Sequence, residues 1–379
     1  MTKSAFASML VTLASAAQTK RAMTGTNIGG WQVLEPWITP SLFYRFLGKT
    51  HSEGVGMDSY TFCEALGPDY GNQVMRAHWD AWVTEDHIKE LSEKEVEIVR
   101  LPIGDWTLKQ YGPYVGCMDG AKEKITWLLD TCQKYNIKVL LDVHAVKGSQ
   151  NGFDNSGIAN RTTWIDENHF EHWNHAYGEW MGPWGDNRYK RIDLDGIDWA
   201  VDTIDGLLEE WGHHPATYAI EPVNEPWWSS DLPLLKGFYR RVHAHMKEKA
   251  PHLKFVFHDS FHFGAGDWND MFDDDEDYSN VVMDTHFYTA WWGAQEYVGK
   301  YCDGYRNSLS GATDIKYDVW VGEWSLATDV CALWLGGFND NNTPYAYECE
   351  WVDCPYSYIP DAELAVDFDR TADMLGPFG

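Results

Sequence analysis

Residues 220–228 read Ile220-Glu221-Pro222-Val223-Asn224-Glu225-Pro226-Trp227-Trp228. An apolar run that begins at Tyr218 leads into this segment, and two prolines interrupt it. The pattern predicts a short buried strand that carries Asn224 and Glu225 at its C-terminal tip. A carboxylate among aromatic rings is poorly solvated, which suits a proton donor. Taken alone, the Asn-Glu-Pro sequence is explained equally well by a glutamate that caps a following helix.

A second segment of the same kind, Trp320-Val321-Gly322-Glu323-Trp324, lies far downstream. It is again an apolar run that ends in Glu and Trp. Glycoside hydrolysis uses two carboxyl groups that flank the scissile bond. Two glutamates at the tips of two buried strands therefore favour a catalytic interpretation of Glu225 over the helix cap.

The rest of the chain alternates between strand-like and helix-like segments. Apolar runs predict seven strands, at residues 26–31, 97–103, 138–144, 217–223, 254–259, 281–288 and 319–324. Apolar residues at three- to four-residue spacing predict helices at 78–93, 119–135, 196–211 and 232–250. This alternation indicates an α/β fold with parallel strands, and the strand count indicates a (β/α)8 TIM barrel that occupies residues 20–379.

Polar residues fall at one end of these predicted strands. A barrel gathers its strand C-termini around one pocket, so these side chains are expected to converge. A doubly wound open sheet would instead spread them along a crevice. Gly29-Gly30 is followed by Trp31, and no Gly-rich phosphate loop follows the first strand. Dinucleotide binding is therefore disfavoured, and no cofactor is predicted.

Composition limits the classes of partner. The formal net charge is -29 with a pI near 4.7, so the chain repels nucleic acid and anionic lipid. No stretch is long and apolar enough to span a bilayer, so membrane insertion is not predicted. A neutral substrate fits this charge. The 21 Trp residues fit a large core combined with sugar binding.

The termini and cysteines suggest an extracellular or cell-wall protein. Residues 1–19 are predicted to be a secretory signal, with a disordered or helical leader as the alternative. Two glycosylation sequons, at Asn160 and Asn341, agree with secretion. There are seven cysteines, an odd number, and Cys331, Cys349 and Cys354 are expected to form disulfides in a loop-rich region.

No metal site is predicted. The acidic run 273–277 lacks the alternating ligands and the glycine of a calcium loop, so it is interpreted as a solvated loop. His213-His214 and His243-x-His245 lack the spacing of a zinc hydrolase motif.

Several blocks of sequence together resemble a known family. These blocks are 27–43, Val99-Arg100-Leu101-Pro102-Ile103-Gly104, Leu141-Asp142-Val143-His144-Ala145, 148–157, Asn224-Glu225-Pro226 and Asp284-Thr285-His286-Phe287-Tyr288. In this order they resemble the fungal-type exo-1,3-β-glucanases (glucan 1,3-β-glucosidases) of glycoside hydrolase family five, clan A. The similarity extends over residues 25–330.

The resemblance implies a (β/α)8 barrel, a retaining mechanism and specific roles. Glu225 matches the general acid/base, and Glu323 matches the nucleophile. Arg100 and Tyr288 are expected to donate hydrogen bonds to Glu323. The remaining matched positions are Asn224 for the sugar 2-hydroxyl, His286 for supporting Glu225 or a sugar hydroxyl, and Glu35, His144, Asp154 and Asn155 for the terminal glucose. Without the resemblance, each lone His or Asp is better explained as a structural hydrogen-bonding residue.

Two aromatic residues are expected to hold the next glucose at the mouth of the pocket. Phe153 matches one of them, and Trp291 or its neighbour Trp292 occupies the position of the other. Core packing is the alternative for either tryptophan.

The chain departs from the family after Glu323. The eighth strand, its Trp and the last helix are not recognisable, which predicts a C-terminally incomplete barrel. As an alternative, Trp334 or Trp351 supplies the missing floor of the glucose site.

The predicted function is release of glucose from the non-reducing ends of β-1,3-glucan by a monomer. The alternatives are a transglycosylase, a β-1,4-endoglucanase or mannanase of the same clan, and a non-catalytic glucan-binding cell-wall protein.

Overall fold

The computed structural model describes residues 23–46, 54–159, 162–164, 170–172, 178–185, 188–292, 299–325 and 327. Within these residues, seven strands form one parallel sheet in which spatial order follows chain order. The strands are β1 (Gly25–Asn27), β2 (Ile98–Gly104), β3 (Lys138–Ala145), β4 (Thr217–Glu221), β5 (Lys254–His258), β6 (Val281–Tyr288) and β7 (Asp318–Ser325). Two short antiparallel hairpins pair Thr162–Trp164 with Phe170–His172 and Trp184–Gly185 with Arg188–Tyr189.

Helices alternate with the strands, as the sequence predicts. They are α1 (Pro40–Phe43), α2 (Ser59–Trp82), α3 (Glu85–Glu93), α4 (Ala121–Lys134), α5 (Leu194–Trp211), α6 (Leu232–Lys249), α7 (Ala265–Trp268) and α8 (Gly299–Ser308). The described strands therefore form a nearly closed α/β barrel of the TIM type, which confirms the predicted fold class.

The helix predicted at residues 78–93 is wrong as a single element. One helix ends at Trp82 and another begins at Glu85. Thr84 separates them because its side chain accepts a hydrogen bond from the His87 N–H and so caps the second helix. The other predicted helices and strands differ from the observed ones mainly at their ends.

Burial explains why the helices and strands pack in this order. All seven residues of β2 are buried, which is typical of a parallel strand covered on both faces. Helix α5 buries an apolar stripe that includes Ile197, Val201, Ile204 and Leu208. Its N-terminus is fixed by the side chain of Asp193, which accepts a hydrogen bond from the Gly196 N–H.

Strands β1 and β7 are the two edges of the described sheet. The side chain of Asn27 in β1 donates a hydrogen bond of 2.8 Å to the backbone carbonyl of Gly322 in β7. A side chain thus connects the two edges at the level of the strand ends. The region in which an eighth strand is expected, with Trp334 and Trp351, lies outside the described residues. The predicted signal at residues 1–19 also lies outside them.

A disulfide between Cys63 and Cys117 ties α2 to the segment before α4. The sequence did not identify this pair, because spacing alone does not show which cysteines meet. In the described part of the chain, Cys132 is free and buried, and Cys302 is free and exposed. Cys331, Cys349 and Cys354 lie outside it. None of the described helices is long and apolar enough to cross a membrane.

Candidate active site

The polar residues at the strand ends converge, as the barrel prediction requires. Hydrogen bonds or ion pairs join side chains from β1, β2, β3, β4, β6 and β7 into one network at the C-terminal end of the barrel. The network opens into a cavity of about 650 Å³. The residues that line the cavity beside the network are Glu35, Trp37, His144, Tyr288, Glu323 and Trp324.

Glu323 ends the apolar part of β7 and is held by two hydrogen-bond donors. Arg100 Nη1 donates to Glu323 Oε1 at 2.8 Å, and the Tyr288 hydroxyl donates to Oε2 at 2.8 Å. Burial raises the pKa of Glu323, but the positive charges of His286, Arg100 and His144 outweigh burial and bring that pKa below its usual range. Glu323 is therefore an oriented carboxylate.

Arg100 keeps its charge because it is surrounded by acceptors. It is 4% exposed. Its Nε donates to Glu221 Oε2 at 2.9 Å, and its Nη2 donates to Asn224 Oδ1 at 2.7 Å and lies 3.1 Å from Asp142 Oδ2. Burial lowers the pKa of Arg100, but the charges of Asp142 and Glu221 more than compensate and raise that pKa.

Glu225 lies four residues beyond the end of β4 and has a strained backbone. Its φ is +42°, in the left-handed region where a residue with a Cβ costs on the order of 1–3 kcal/mol. The Asn155 side-chain amide donates to Glu225 Oε2 at 3.0 Å, and Asn151 Nδ2 donates to the Glu225 carbonyl at 3.3 Å. The first contact orients the carboxyl group of Glu225, and the second fixes its backbone.

His286 lies between the two glutamates. Its Nδ1 is 2.7 Å from Glu225 Oε1 and 3.5 Å from Glu323 Oε2. The two carboxyl oxygens are therefore no further apart than these two distances together, about 6 Å. Nε2 of His286 lies 3.3 Å from Asp284. Burial lowers the pKa of His286, but the charge of Glu323 and the hydrogen bonds to Asp284 and Glu225 raise it overall. His286 thus bridges the two glutamates through Nδ1.

Glu35 and His144 also line the cavity. His144 Nδ1 is hydrogen-bonded to Asp142 at 2.6 Å, and its Nε2 lies 3.9 Å from Glu35 Oε1. Trp37 Nε1 donates to Glu35 Oε2 at 3.0 Å. Burial raises the pKa of Glu35 to about 7, because His144 and Trp37 compensate only in part. Glu35 therefore changes charge near neutral pH.

Comparison with known proteins agrees with this geometry. The chain is 31% identical to a glucan 1,3-beta-glucosidase of Blumeria graminis, in an alignment that covers 92% of this chain and 76% of that one. It is also 31% identical to a glucan 1,3-beta-glucosidase of Schwanniomyces occidentalis, over 86% of this chain and 73% of that one. This chain belongs to the glucan 1,3-β-glucosidase family. It is accordingly a glycoside hydrolase.

The solved structures that resemble this glycoside hydrolase support the barrel. AoRut matches with a TM-score of 0.64 at 22% identity, over 81% of this chain and 79% of that one. The rutinosidase from Aspergillus niger matches with a TM-score of 0.60 at 20% identity, over 81% and 80%. At these identities the likeness concerns the fold alone. No family model matches the chain.

The segment 146–159, called the pocket loop below, carries several side chains of this glucosidase-family site. Gln150 fixes its middle, since Nε2 donates to the carbonyls of His144 and Asn224 at 2.8 Å each. Buried carboxylates fix its two ends. Asp105 accepts a hydrogen bond from the Lys147 N–H at 2.7 Å, and Asp58 accepts one from the Ala159 N–H at 2.7 Å.

Asp58 and Asp105 were not identified from the sequence. Burial raises the pKa of each to about 6, because the hydrogen bonds that each accepts compensate only in part. The only available signal was the Asp58-x-x-Thr61 helix cap, and a cap does not reveal that the other carboxylate oxygen holds a distant loop.

Asp154 and Phe153, two of the residues that the resemblance predicts to contact sugar, belong to the pocket loop. Asp154 is buried, and burial together with the charges of Glu35 and Asp58 raises its pKa well above the usual range. The ring of Phe153 packs edge-to-face on Trp227 at a centroid distance of 4.9 Å. The backbone of Trp291 belongs to a 3-10 turn, Thr289–Trp292, but its side chain lies outside the described residues. The aromatic pair therefore stays a prediction.

A second layer of acidic residues beneath the glutamates was also missed. Glu221 and Asp284 are fully buried. Glu221 Oε2 accepts a hydrogen bond from Arg100 Nε at 2.9 Å, so Glu221 is a counter-charge for that guanidinium. Asp284 Oδ1 accepts a hydrogen bond from the Gly322 N–H at 2.6 Å. A Cβ at Gly322 would lie 2.0 Å from Asp284 Oδ2, which explains the glycine before Glu323.

Among the described residues, two groups of side chains have potential metal ligands within 4.8 Å of one another. These are Glu225 with His258 and His286, and Glu221 with Asp284 and His286. Both ring nitrogens of His286 already have carboxyl partners, Nδ1 at Glu225 and Nε2 at Asp284. His258 Nδ1 accepts a hydrogen bond from the Ser260 N–H, which places the proton of the neutral ring on Nε2. These donors suit proton sharing better than metal coordination.

Proposed function

We propose that this glycoside hydrolase releases glucose from the non-reducing ends of β-1,3-glucan with retention of configuration. Glu225 acts as general acid/base, and Glu323 acts as nucleophile. The observation that carries this proposal is the position of Glu323, which is held as a carboxylate by Arg100 and Tyr288 and separated from Glu225 only by His286. The names of the relatives supply the substrate class.

The spacing of the glutamates supports retention. Retaining glycosidases have carboxyl groups about 5–5.5 Å apart, whereas inverting enzymes need about 6.5–9.5 Å to admit a water molecule. The upper limit of 6.2 Å between one oxygen of Glu225 and one of Glu323 lies below the range of inverting enzymes.

The reaction follows from the two positions. Glu225 gives its proton to the glycosidic oxygen while a Glu323 oxygen bonds to the anomeric carbon and the leaving glucan departs. The glucosyl-enzyme ester is then attacked by water, which gives a proton back to Glu225 as the bond to Glu323 breaks. Arg100 and Tyr288 stay on the Glu323 oxygens and lower the cost of its charge at both ends of the cycle.

Release of single glucose units is supported by the side chains that surround the cavity. Glu35, His144 and Asp154 are buried polar groups whose positions match the resemblance for gripping a terminal glucose. The Glu35 carboxyl and the His144 imidazole face each other at 3.9 Å, close enough for one hydroxyl to bind both.

Secretion and a monomeric state are part of the proposal. The Cys63–Cys117 disulfide suits an oxidising compartment, where such bonds persist. The names of the fungal glucosidase relatives suit a protein that acts on extracellular or cell-wall glucan.

The experiment is product analysis on laminarin by anomer-resolved NMR at early times. We expect β-glucose to be released first by the wild type and no glucose to be released by Glu323→Gln. Oligosaccharide ladders would indicate an endo-acting enzyme, and initial α-glucose would contradict retention. A transglycosylase would form longer products at high substrate concentration.

Azide separates the two glutamate roles. With azide and an activated aryl glucoside, Glu225→Ala should form β-glucosyl azide, because azide attacks the glucosyl-enzyme from the face vacated by the acid/base. Glu323→Ala should form α-glucosyl azide, because azide then replaces the nucleophile. If Glu225→Ala formed the α-azide and Glu323→Ala the β-azide, the two roles would be reversed. Laminarin binding by a folded wild type that never forms product would instead indicate a non-catalytic binding protein.

A further inference from the structure

An exposed aromatic surface directly follows Glu225. Trp228 is 55% exposed and Phe261 is 42% exposed, while Trp227, which packs against Phe261, is half-buried. Large rings left in water forgo the free energy of burying apolar area, so an exposed cluster beside a catalytic residue indicates a ligand that covers it. The catalytic steps proposed above use none of these three rings.

The backbone under these rings is fixed. Ser260 Oγ donates to the carbonyls of Pro226 at 2.8 Å and Trp227 at 3.0 Å. His262 Nε2 is hydrogen-bonded to the carbonyl of Trp228 at 2.7 Å. The φ angles of Ser260 and Phe261 are +52° and +61°, and such left-handed residues cost on the order of 1–3 kcal/mol each. The fold thus bears strain in the segment that fixes Trp227 and Trp228.

The surface is continuous with the catalytic site on the acid side. Phe153 packs edge-to-face on Trp227 at 4.9 Å, and Trp227 packs on Phe261 at 5.5 Å. Trp227 and Trp228 follow Glu225 by two and three residues. Since the general acid protonates the leaving-group oxygen, the sugars that depart lie on the side of Glu225. The glucose that is released lies on the side of Glu35.

We propose that Trp227 and Trp228 form a binding surface for the departing glucan, beyond the sugar unit next to the scissile bond. This inference rests on the proposed function and adds a preference for long substrates to it. The flat ring faces stack on the C–H faces of successive glucosyl units, and Phe261 packs against Trp227 to support it.

The test compares substrates of different length. We expect Trp228→Ala to lower kcat/KM about tenfold on laminarihexaose, a loss in the range of one stacked ring, and to change it less than about twofold on p-nitrophenyl β-glucoside. Trp228→Phe should retain most of the activity on laminarihexaose. Tyr70, which is 52% exposed on α2, provides the matched control. Tyr70→Ala should leave kcat/KM unchanged on both substrates.

Equal loss on both substrates, or no loss on either, would overturn the proposal. Binding of laminarihexaose to Glu323→Gln, with and without Trp228→Ala, provides a readout that needs no turnover. If the wild type hydrolyses neither substrate, the proposed function fails. In that case, an approximately tenfold weaker binding of laminarihexaose to Trp228→Ala would still support the binding surface, and unchanged binding would overturn it.

Discussion

Glu35 and Glu323 line the same cavity, yet their surroundings shift their pKa values in opposite directions. Burial raises the pKa of both. At Glu323 the charges of His286 and Arg100 outweigh burial, so its pKa falls below the usual range. At Glu35, burial raises the pKa to about 7, because His144 at 3.9 Å offsets burial only in part and the charges of Glu323 and Glu225 add to the rise.

The difference teaches that contact with a cation, and not depth, decides which carboxyl is ionised. Arg100 sits on β2, where its guanidinium reaches β4 and β7 together, and it contacts Glu323 directly. Glu35 precedes α1 and receives a neutral indole donor from Trp37. Two carboxyls that differ in this way can serve different tasks in one pocket, one as a nucleophile and one as a hydrogen-bonding partner for sugar hydroxyls.

Among the substitutions that test the difference between Glu323 and Glu35, the largest effect on activity is expected from Arg100→Lys. A lysine cannot reproduce the planar set of donors that serves Glu221, Asn224 and Glu323 at once. We expect kcat/KM to fall by about 10²-fold or more. The stabilisation of ionised Glu323 is weakened, so its pKa rises and the acidic limb of the kcat/KM–pH profile moves to higher pH.

The free energy of unfolding should fall as well, by about 3 kcal/mol, because buried carboxylates lose part of their compensation. Urea unfolding measures this loss and shows that the kinetic assay is made on folded protein. Arg240→Lys, on the outer helix α6, is the control and should leave the pH profile unchanged. A folded Arg100→Lys variant with an unshifted acidic limb would contradict the role given to Arg100.

A smaller effect is expected from Tyr288→Phe, which removes a single neutral donor from Glu323. We expect kcat to fall by about 10- to 10²-fold. The acidic limb should move in the same direction as for Arg100→Lys, but less far, because a neutral hydrogen bond stabilises the carboxylate less than an adjacent cation does.

The matched control for Tyr288 is Tyr317→Phe. The hydroxyl of Tyr317 donates to the carbonyl of Trp268, away from the strand ends, so its loss should affect stability but not the pH profile. If Tyr288→Phe and Tyr317→Phe shift the acidic limb of the pH profile alike, loss of the hydrogen bond to Glu323 does not cause the shift.

The sequence predicts best what depends on local pattern. Apolar runs followed by polar residues located the strand ends, and the barrel then required these residues to meet. Arg100 and Tyr288 were expected to donate to Glu323, and the structure has both contacts. A family resemblance was still needed to assign roles, since a lone Asp or His at a strand end is common in structural networks.

The sequence predicts poorly what depends on contacts between distant segments. Asp284 stands in an apolar strand, but its partner in β7 is set by the strand register, in which Asp284 faces Trp320 and a bulge follows before His286 faces Glu323. Glu221 was likewise visible as a polar residue in an apolar run. Its contact with Arg100 depends on the closure of the barrel, which no local pattern encodes.

The smallest effect is expected from Glu35→Gln. This substitution tests directly whether Glu35 changes its charge near neutral pH. The folded pKa of Glu35 is about 7, against an ordinary value of 4.5, so between these values the folded protein binds more protons at this site than the unfolded chain does. This site therefore makes stability fall as pH rises from 4.5 to 7, and the full loss is present above pH 7. A glutamine cannot ionise, and it keeps the shape of the protonated acid.

Glu35→Gln should therefore be more stable than the wild type above pH 7, by about 3 kcal/mol, and nearly equal to it below pH 4.5. Urea unfolding at pH 4.5 and pH 8 measures the difference, with Glu85→Gln on the surface as a control that should not show it. The KM for laminarin of the wild type should also change near pH 7, and this change should be absent in Glu35→Gln. Equal pH dependence of stability in the wild type and Glu35→Gln would mean that Glu35 is ionised throughout, and the contrast with Glu323 would then be one of position and not of charge.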